Sequence, residues 1–241
     1  MAGQSKAEQA FVALRRDILD ARLVPGQGLT IVSMRDRYGL GWTPIREALS
    51  RLEAERLVVF APNRGYRVAT VSGVELLDLQ NARKAVELVL LEESMKSGGD
   101  EWEQRVVAAH HGLRQAPPLR AHMQEADLAR WEARHEAFHQ ALLSGSQSIW
   151  LPRLAAQIMD QLHRHHRILV LNPAIEGSAA NADEHCLILQ QASDIGHHTD
   201  LMHAAISRDR QRACSLLIQH IGFTHDAYLK LHSIGSIALE Q

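Results

Sequence analysis

Between Ala10 and Val68 the spacing of apolar residues changes from the 3.6-residue period of a helix to the two-residue period of a strand, and few folds accommodate that change. Ala10, Phe11, Leu14 and Ile18 predict a first helix that ends before the turn dipeptide Pro25-Gly26. Thr30 is placed to cap a short second helix reaching about Tyr38, with Gly39 as its stop. A third helix is expected to open at Thr43-Pro44, Thr43 supplying the cap oxygen and Pro44 the first helical position. Leu57-Val58-Val59-Phe60 and Tyr66-Arg67-Val68 then read as two strands around Pro62-Asn63-Arg64-Gly65. Three short helices followed by a hairpin predict a winged helix-turn-helix.

The third helix is amphipathic in a particular way. At about 100° per residue, Ile45, Ala48, Leu49 and Leu52 share one side, while Thr43, Arg46 and Ser50 lie opposite. A helix that buries one face and offers arginine and hydroxyls on the other suits the major groove, where arginine can bond a guanine edge or a phosphate. Charge points the same way. Residues 1–70 carry 11 Lys/Arg against 7 Asp/Glu, whereas the rest of the chain carries 15 against 21. A basic head on an acidic body fits a polyanionic partner for the head alone.

Other classes are disfavoured. No run approaches the roughly 18 apolar residues of a membrane span, and the opening MAGQSKAEQAF lacks the apolar core of a signal peptide, so a cytoplasmic protein without a membrane partner is expected. Cys186 and Cys214 have no metal or disulfide spacing and are expected to be buried free thiols.

Beyond the head, helical stretches alternate with the breakers Ser97-Gly98-Gly99, Pro117-Pro118, Ser144-Gly145-Ser146, Asn172-Pro173 and Ser207-Arg208-Asp209. The expected fold is mainly α: an N-terminal winged helix-turn-helix with a small β-hairpin wing (1–70), a linker (71–73), an antiparallel all-helical bundle of about six helices (74–233) and a tail (234–241). All 15 histidines lie in the second part. His135 and His139 share an apolar face with Leu128, Trp131, Phe138 and Leu142; His198 lies with Leu201, Met202 and Ala205; His220 lies among Ala213, Leu216, Leu217 and Phe223. Taken singly, each reads as a hydrogen-bonded core histidine. Four on three helices of one bundle favour a shared metal ion. His163, His165 and His166 are expected to be solvated.

The stretch LVPGQGLTIVSMRDRYGLGWTPIREALSRLEAERLVVFAPNRGYRV resembles the DNA-binding domain of the GntR family, above all in TPIREALSRLEAERLV and NRGYRV. The resemblance implies that Thr43 and Arg46 on the recognition helix and Arg64-Gly65 in the wing contact double-stranded operator DNA, with Arg64 along the minor groove. Thr30, Trp42 and Ser50 complete the candidate DNA-binding set. Gly41-Trp42 stands where many members have Ser-Arg, so operator preference does not transfer; Glu47 is read as structural.

Residues 74–232 resemble, more weakly, the FCD sensory domain of the FadR-type subfamily. Arg83-Lys-Ala-Val-Glu87 is similar to its Arg-x-x-x-Glu signature and His135-Glu-Ala-Phe-His139 to its Asp-x-x-x-His motif. The resemblance implies a divalent ion, zinc or nickel, held by His135, His139, His198 and His220, with histidine at 135 in place of aspartate. His185 is an alternative third ligand, but on one continuous helix it would lie about 220° from His198, and His198 is preferred. Arg83 is expected to bind a small carboxylate effector, or else to form an ordinary surface pair with Glu87. The expected protein is a homodimeric, ligand-released repressor and not an enzyme. Two rivals are a helical metal-dependent hydrolase, for which His225-Asp226 lacks the later aspartate of HD-type enzymes, and a constitutive DNA-binding dimer with a purely structural C-terminal domain.

Overall fold

A computed structural model describes residues 4–176 and 182–233. The expected tail, 234–241, lies outside the described residues. Two compact units are present, one of residues 4–72 with Asp160–Ile168, the other of Gly73–Met159 with the described residues from Leu169 onward.

In the first unit, α1 (Lys6–Leu19) is capped by Ser5 and buries Ala10, Phe11, Leu14 and Ile18. Thr30 Oγ1 accepts the Ser33 N–H at 3.1 Å, opening α2 (Ile31–Tyr38), and Gly39 ends it at φ 66°. There the left-handed backbone favours a residue without Cβ. Helix α3 (Trp42–Ala54) buries Ile45, Ala48, Leu49 and Leu52, as the periodicity requires.

Its start corrects one expectation: the N-cap is Gly41, with no side-chain cap, and the helix begins at Trp42. Pro44 therefore occupies the third helical position. No amide in a first turn has an intrahelical acceptor, so proline is tolerated there as well as at the first position and does not fix the register.

Strands β1 (Gly28–Leu29), β2 (Val58–Ala61) and β3 (Gly65–Val68) form an antiparallel sheet in the order β1-β3-β2, with Val58 opposite Val68 and Phe60 opposite Tyr66. The hairpin was legible; β1, only two residues long, carries no alternation to detect. Asn63 and Gly65 turn the wing tip at φ 62° and 71°. Core residues Leu14, Ile18, Leu23, Leu29, Ile45, Leu49, Leu52 and Leu57 knit helices and sheet into one apolar cluster.

Residues 160–168 also pack in this unit. Arg164 donates to the carbonyls of Ala69 at 2.6 Å and Thr70 at 3.3 Å, Arg167 donates to that of Asp20 at 3.0 Å, and Gln161 donates to that of Glu55 at 2.7 Å. The expected solvation of the neighbouring histidines is accordingly corrected. His165 is buried with Nδ1 2.8 Å from the Gln161 carbonyl, and His163 and His166 are half-buried.

The second unit is helical: α4 (Gly73–Ser97), α5 (Asp100–Arg114), α6 (Glu125–Leu143), the start of α7 (Leu151–His166), α8 (Asn172–Glu176), α9 (Ala182–Ser193), α10 (Ile195–Ile206) and α11 (Arg210–Ser233). Eight α-helices are thus described beyond residue 72 where about six were expected. Asn172-Pro173 does not break the chain into a loop. A π-helical segment, Arg167–Leu171, leads from α7 directly into α8, where Pro173 sits in the first turn and needs no donor. Leu91, Trp102, Val106, Phe138, Leu142, Leu201, Leu217 and Ile221 form the core. Cys214 is only half-buried, its thiol 3.6 Å from a Glu92 carboxylate oxygen, so it is not the buried thiol expected; the Cys186 side chain lies outside the described residues. Among the described residues no helix is long and apolar enough to cross a membrane.

Candidate functional site

On α3 the side chains of Thr43, Arg46, Glu47 and Ser50 are exposed, opposite the buried stripe. Thr30 and Trp42, at the starts of α2 and α3, are exposed as well, and so is Arg64 at the wing tip, with Gly65 half-exposed beside it. The Arg35 guanidinium lies 5.6 Å from the centroid of the Trp42 ring, holding the indole at the N-terminal edge of the recognition helix. Sequence reading missed Arg35, whose only signal was a basic residue in the last turn of α2.

In the helical unit, four histidines that the sequence places on three helices converge. One ligand-capable nitrogen from each of His135, His139, His198 and His220 lies within 4.8 Å of the others. His135 and His139 project from successive turns of α6, with ring centroids 4.7 Å apart, and Trp131 stacks on His135 at 4.8 Å. His139 Nε2 approaches His220 Nε2 of α11 to 2.9 Å. From α10, His198 holds its Nδ1 2.9 Å from the Asp194 carbonyl, while its Nε2 is buried without a partner. A ring that donates Nδ1–H to a carbonyl presents Nε2 as a lone-pair donor.

His185 does not join this group. Its helix, α9, ends at Ser193 and α10 starts afresh after the cap Asp194, so the expected 220° relation along one helix does not apply. His198 nonetheless remains the histidine that meets the others.

Burial, above all, depresses the basicity of His139, and the neighbouring imidazoles of His220 and His135 and the Arg83 guanidinium push in the same direction. His220 is lowered well below its ordinary value by burial and then by His198, His135 and Arg83. Desolvation brings His198 down to about 4. The quartet therefore rests with neutral rings at His139, His198 and His220, the form that ligates metal.

This has a consequence for stability. In the unfolded chain these histidines protonate near 6.5, whereas in the fold they resist doing so, and below that pH the unfolded state binds more protons. Metal-free protein is expected to lose stability progressively as the pH falls from 6.5 toward 4. Urea midpoints measured across that range should decline, and midpoints that stay flat or rise would contradict the burial of neutral rings.

Arg83 and Glu87 are paired, but not on the surface. Arg83 Nε donates to Glu87 Oε1 at 2.8 Å, and both side chains are buried on α4, which packs against α6, α10 and α11. Gln80, one turn earlier, is buried too and escaped the sequence reading, although its i, i+3 spacing from Arg83 placed it on the same face.

Comparison with known proteins agrees with both halves. Residues 6–68 match the bacterial regulatory proteins of the gntR family and residues 78–223 match the FCD domain. The chain is 36% identical over 208 residues to the HTH-type transcriptional repressor GlaR of Escherichia coli (strain K12), covering 86% of this chain and 89% of that protein. It is 32% identical over 218 residues to the uncharacterized HTH-type transcriptional regulator BphR of Paraburkholderia xenovorans (strain LB400), covering 90% and 83% respectively. Among solved structures, E. coli McbR/YncC superposes with a TM-score of 0.71 at 20% identity, covering 95% of this chain and all of that one. A GntR regulator from Rhodococcus sp. RHA1 gives 0.69 at 19%, covering 94% and 98%. At such identities the structural likeness speaks for the fold alone. With an exposed helix-turn-helix reading face, an FCD domain following it in the sequence and relatives that are transcription regulators and not enzymes, this chain belongs to the GntR family of DNA-binding transcription regulators, in its FCD-containing branch.

Proposed function

We propose that the protein is a homodimeric repressor that leaves its operator when a small carboxylate binds beside a divalent metal ion in the FCD domain. The observation that carries this reading is the quartet His135, His139, His198 and His220, with the buried, unpartnered Nε2 of His198 aimed among the other rings. The donor set fits a metal. Imidazole nitrogens about 2.0–2.1 Å from a tetrahedral zinc lie roughly 3.4 Å apart, and the quartet, with His139 and His220 at 2.9 Å and none beyond 4.8 Å, needs only small side-chain shifts to reach that spacing. Neutral nitrogen ligands suit zinc or nickel. When bound, such an ion supplies a positive centre that attracts an anion.

The chain's own groups complete the site. Arg83 is buried with Nη2 unpartnered on α4, which packs against the three helices that carry the quartet, and this makes it the cation that would meet an anionic effector there. A carboxylate there would be met by charge-assisted hydrogen bonding. In the DNA-binding unit, Arg46 and Thr43 would face base edges, with Ser50, Thr30, Trp42, Arg64 and Gly65 around them. One recognition helix reads only a few base pairs, so two copies on a two-fold symmetric operator are required for specificity. The similarity to GlaR, a transcriptional repressor, supports the sign of regulation.

The test is fluorescence anisotropy of labelled DNA from upstream of the gene, titrated with metal-loaded protein and a panel of C2–C6 carboxylates. Tight binding, reversed by at least one carboxylate and insensitive to it after chelation, is the expected result. DNA affinity that no carboxylate alters, or a response that persists in metal-free protein, would overturn the reading.

A further inference from the structure

Helices α2 and α3 carry four arginines, and two of them are spent within the protein. Arg37 Nη2 donates to Asp17 Oδ2 at 2.9 Å, and Arg51 Nη1 donates to Glu8 Oε2 at 2.7 Å. Arg35 and Arg46 have no carboxylate partner among the described residues. What Arg35 meets instead is the Trp42 ring, which its guanidinium restrains by a cation–π contact. The indole is held there and still 54% exposed. Trp42 and Arg46 lie one turn apart on the outward face of α3, about 40° apart around the axis and about 6 Å along it. Thr43, Arg46, Glu47 and Ser50 make that face polar, and Trp42 is its one large apolar group.

We propose that Trp42 is a specificity-determining residue that selects a T·A pair: its indole covers the thymine 5-methyl group, while Arg35 holds the ring and pairs with a flanking phosphate. The inference rests on the reading of α3 as the helix that enters the major groove. Base edges there present acceptors and amino donors, and the thymine methyl is their one apolar feature. An indole pressed into the groove therefore gains most over thymine, where apolar area on both sides leaves water together. Guanine is the wrong match. Its N7 and O6 are two acceptors, which the guanidinium fork of Arg46 can fill and a single indole N–H cannot. Recognition helices present their N-terminal residues to base edges, and Trp42 is the first residue of α3. With base pairs about 3.4 Å apart, its position places the thymine one or two pairs from the one facing Arg46.

The experiment begins with full-length, effector-free protein selecting its operator from a pool of random-sequence duplexes. Anisotropy titrations then compare that operator with copies in which single thymines are replaced by uracil, a change that removes only the methyl group. Each half-site should contain one thymine whose replacement weakens binding about fourfold, and replacement in both half-sites should cost about 15-fold. Trp42→Ala should bind the thymine and uracil operators alike. Arg35→Gln should bind both more weakly, shrink the thymine-to-uracil ratio and lower the slope of log affinity against log salt by about one. Should Trp42→Ala fail to fold by circular dichroism, Trp42→Gln and the wild-type ratio decide the matter. Absence of any uracil-sensitive thymine, or a sensitivity that Trp42→Ala retains, would overturn the role of Trp42; loss of affinity in Arg46→Ala would then leave the DNA face itself standing. Affinity indifferent to Trp42→Ala, Arg46→Ala and Arg64→Ala alike would overturn both.

Discussion

Replacing His139 with alanine is expected to abolish stoichiometric metal binding, with affinity for zinc or nickel falling about 100-fold or more, beyond the 10–100-fold seen when only a group supporting a ligand is removed. His139 stands at the centre of the quartet: its Nε2 lies 2.9 Å from that of His220, and its ring centroid is within 6.0 Å of those of His135 and His198. His220→Ala should behave alike. Metal content after dialysis, measured by plasma emission and checked by competition with a chromogenic chelator, reads the effect. His110 provides the control, because it is also buried but spends its Nε2 on Thr199 Oγ1 at 2.9 Å, outside the quartet. His110→Ala should keep its metal. A fourth variant tests charge: His135→Asp should retain the ion but bind anionic effectors more weakly, since one carboxylate ligand lowers the net charge of the centre from about +2 to +1. Full occupancy in His139→Ala and His220→Ala, or a wild type that never holds metal, would remove the basis for the sensor.

Operator binding should respond in two different ways to loss of Arg46 and of Arg64. Arg46 projects from the exposed face of α3, and if it bonds a guanine edge, Arg46→Ala should cost about 1–3 kcal/mol and flatten the preference at a single operator position in each half-site. Arg64 sits on a wing tip whose flanking residues, Asn63 and Gly65, hold left-handed conformations that present it outward. Contact with backbone or minor groove predicts that Arg64→Ala weakens all sequences nearly uniformly and lowers the slope of log affinity against log salt by about one. Anisotropy titrations over a set of single-base operator variants at two salt concentrations separate the two patterns. Unchanged affinity in both variants would count against the assigned DNA face.

Much of the head was legible because its information is local. The stripe Ile45, Ala48, Leu49 and Leu52 repeats at helical spacing, Thr30 and Gly39 bound α2 by side-chain and backbone chemistry confined to a few residues, and the hairpin announces itself by a change of period. The same locality failed at α3, which starts at Trp42, since Pro44 fits equally at the first or third position of a helix and does not choose between them. It failed again at β1, where pairing of Gly28 and Leu29 with Arg67 and Tyr66 depends on residues nearly forty positions away.

For the candidate site, the sequence by itself determined which histidines occupy apolar faces, because periodicity fixes the direction of a side chain relative to its own helix. It could not determine what lies across from that face. His139 and His220 are 81 residues apart, and their approach to 2.9 Å is decided by how α6 and α11 pack, as is the burial of Arg83 and Glu87, whose i, i+4 spacing reads identically on a wet surface. The break between α9 and α10, which separates His185 from His198, turns on the backbone at Asp194. His165 looked solvated for the same reason in reverse: a polar run is locally hydrophilic, and only its packing in the unit of residues 4–72 and 160–168 took the ring out of water. Periodicity is a property of one segment, whereas burial and juxtaposition belong to pairs of segments, and so only the tertiary structure decides them.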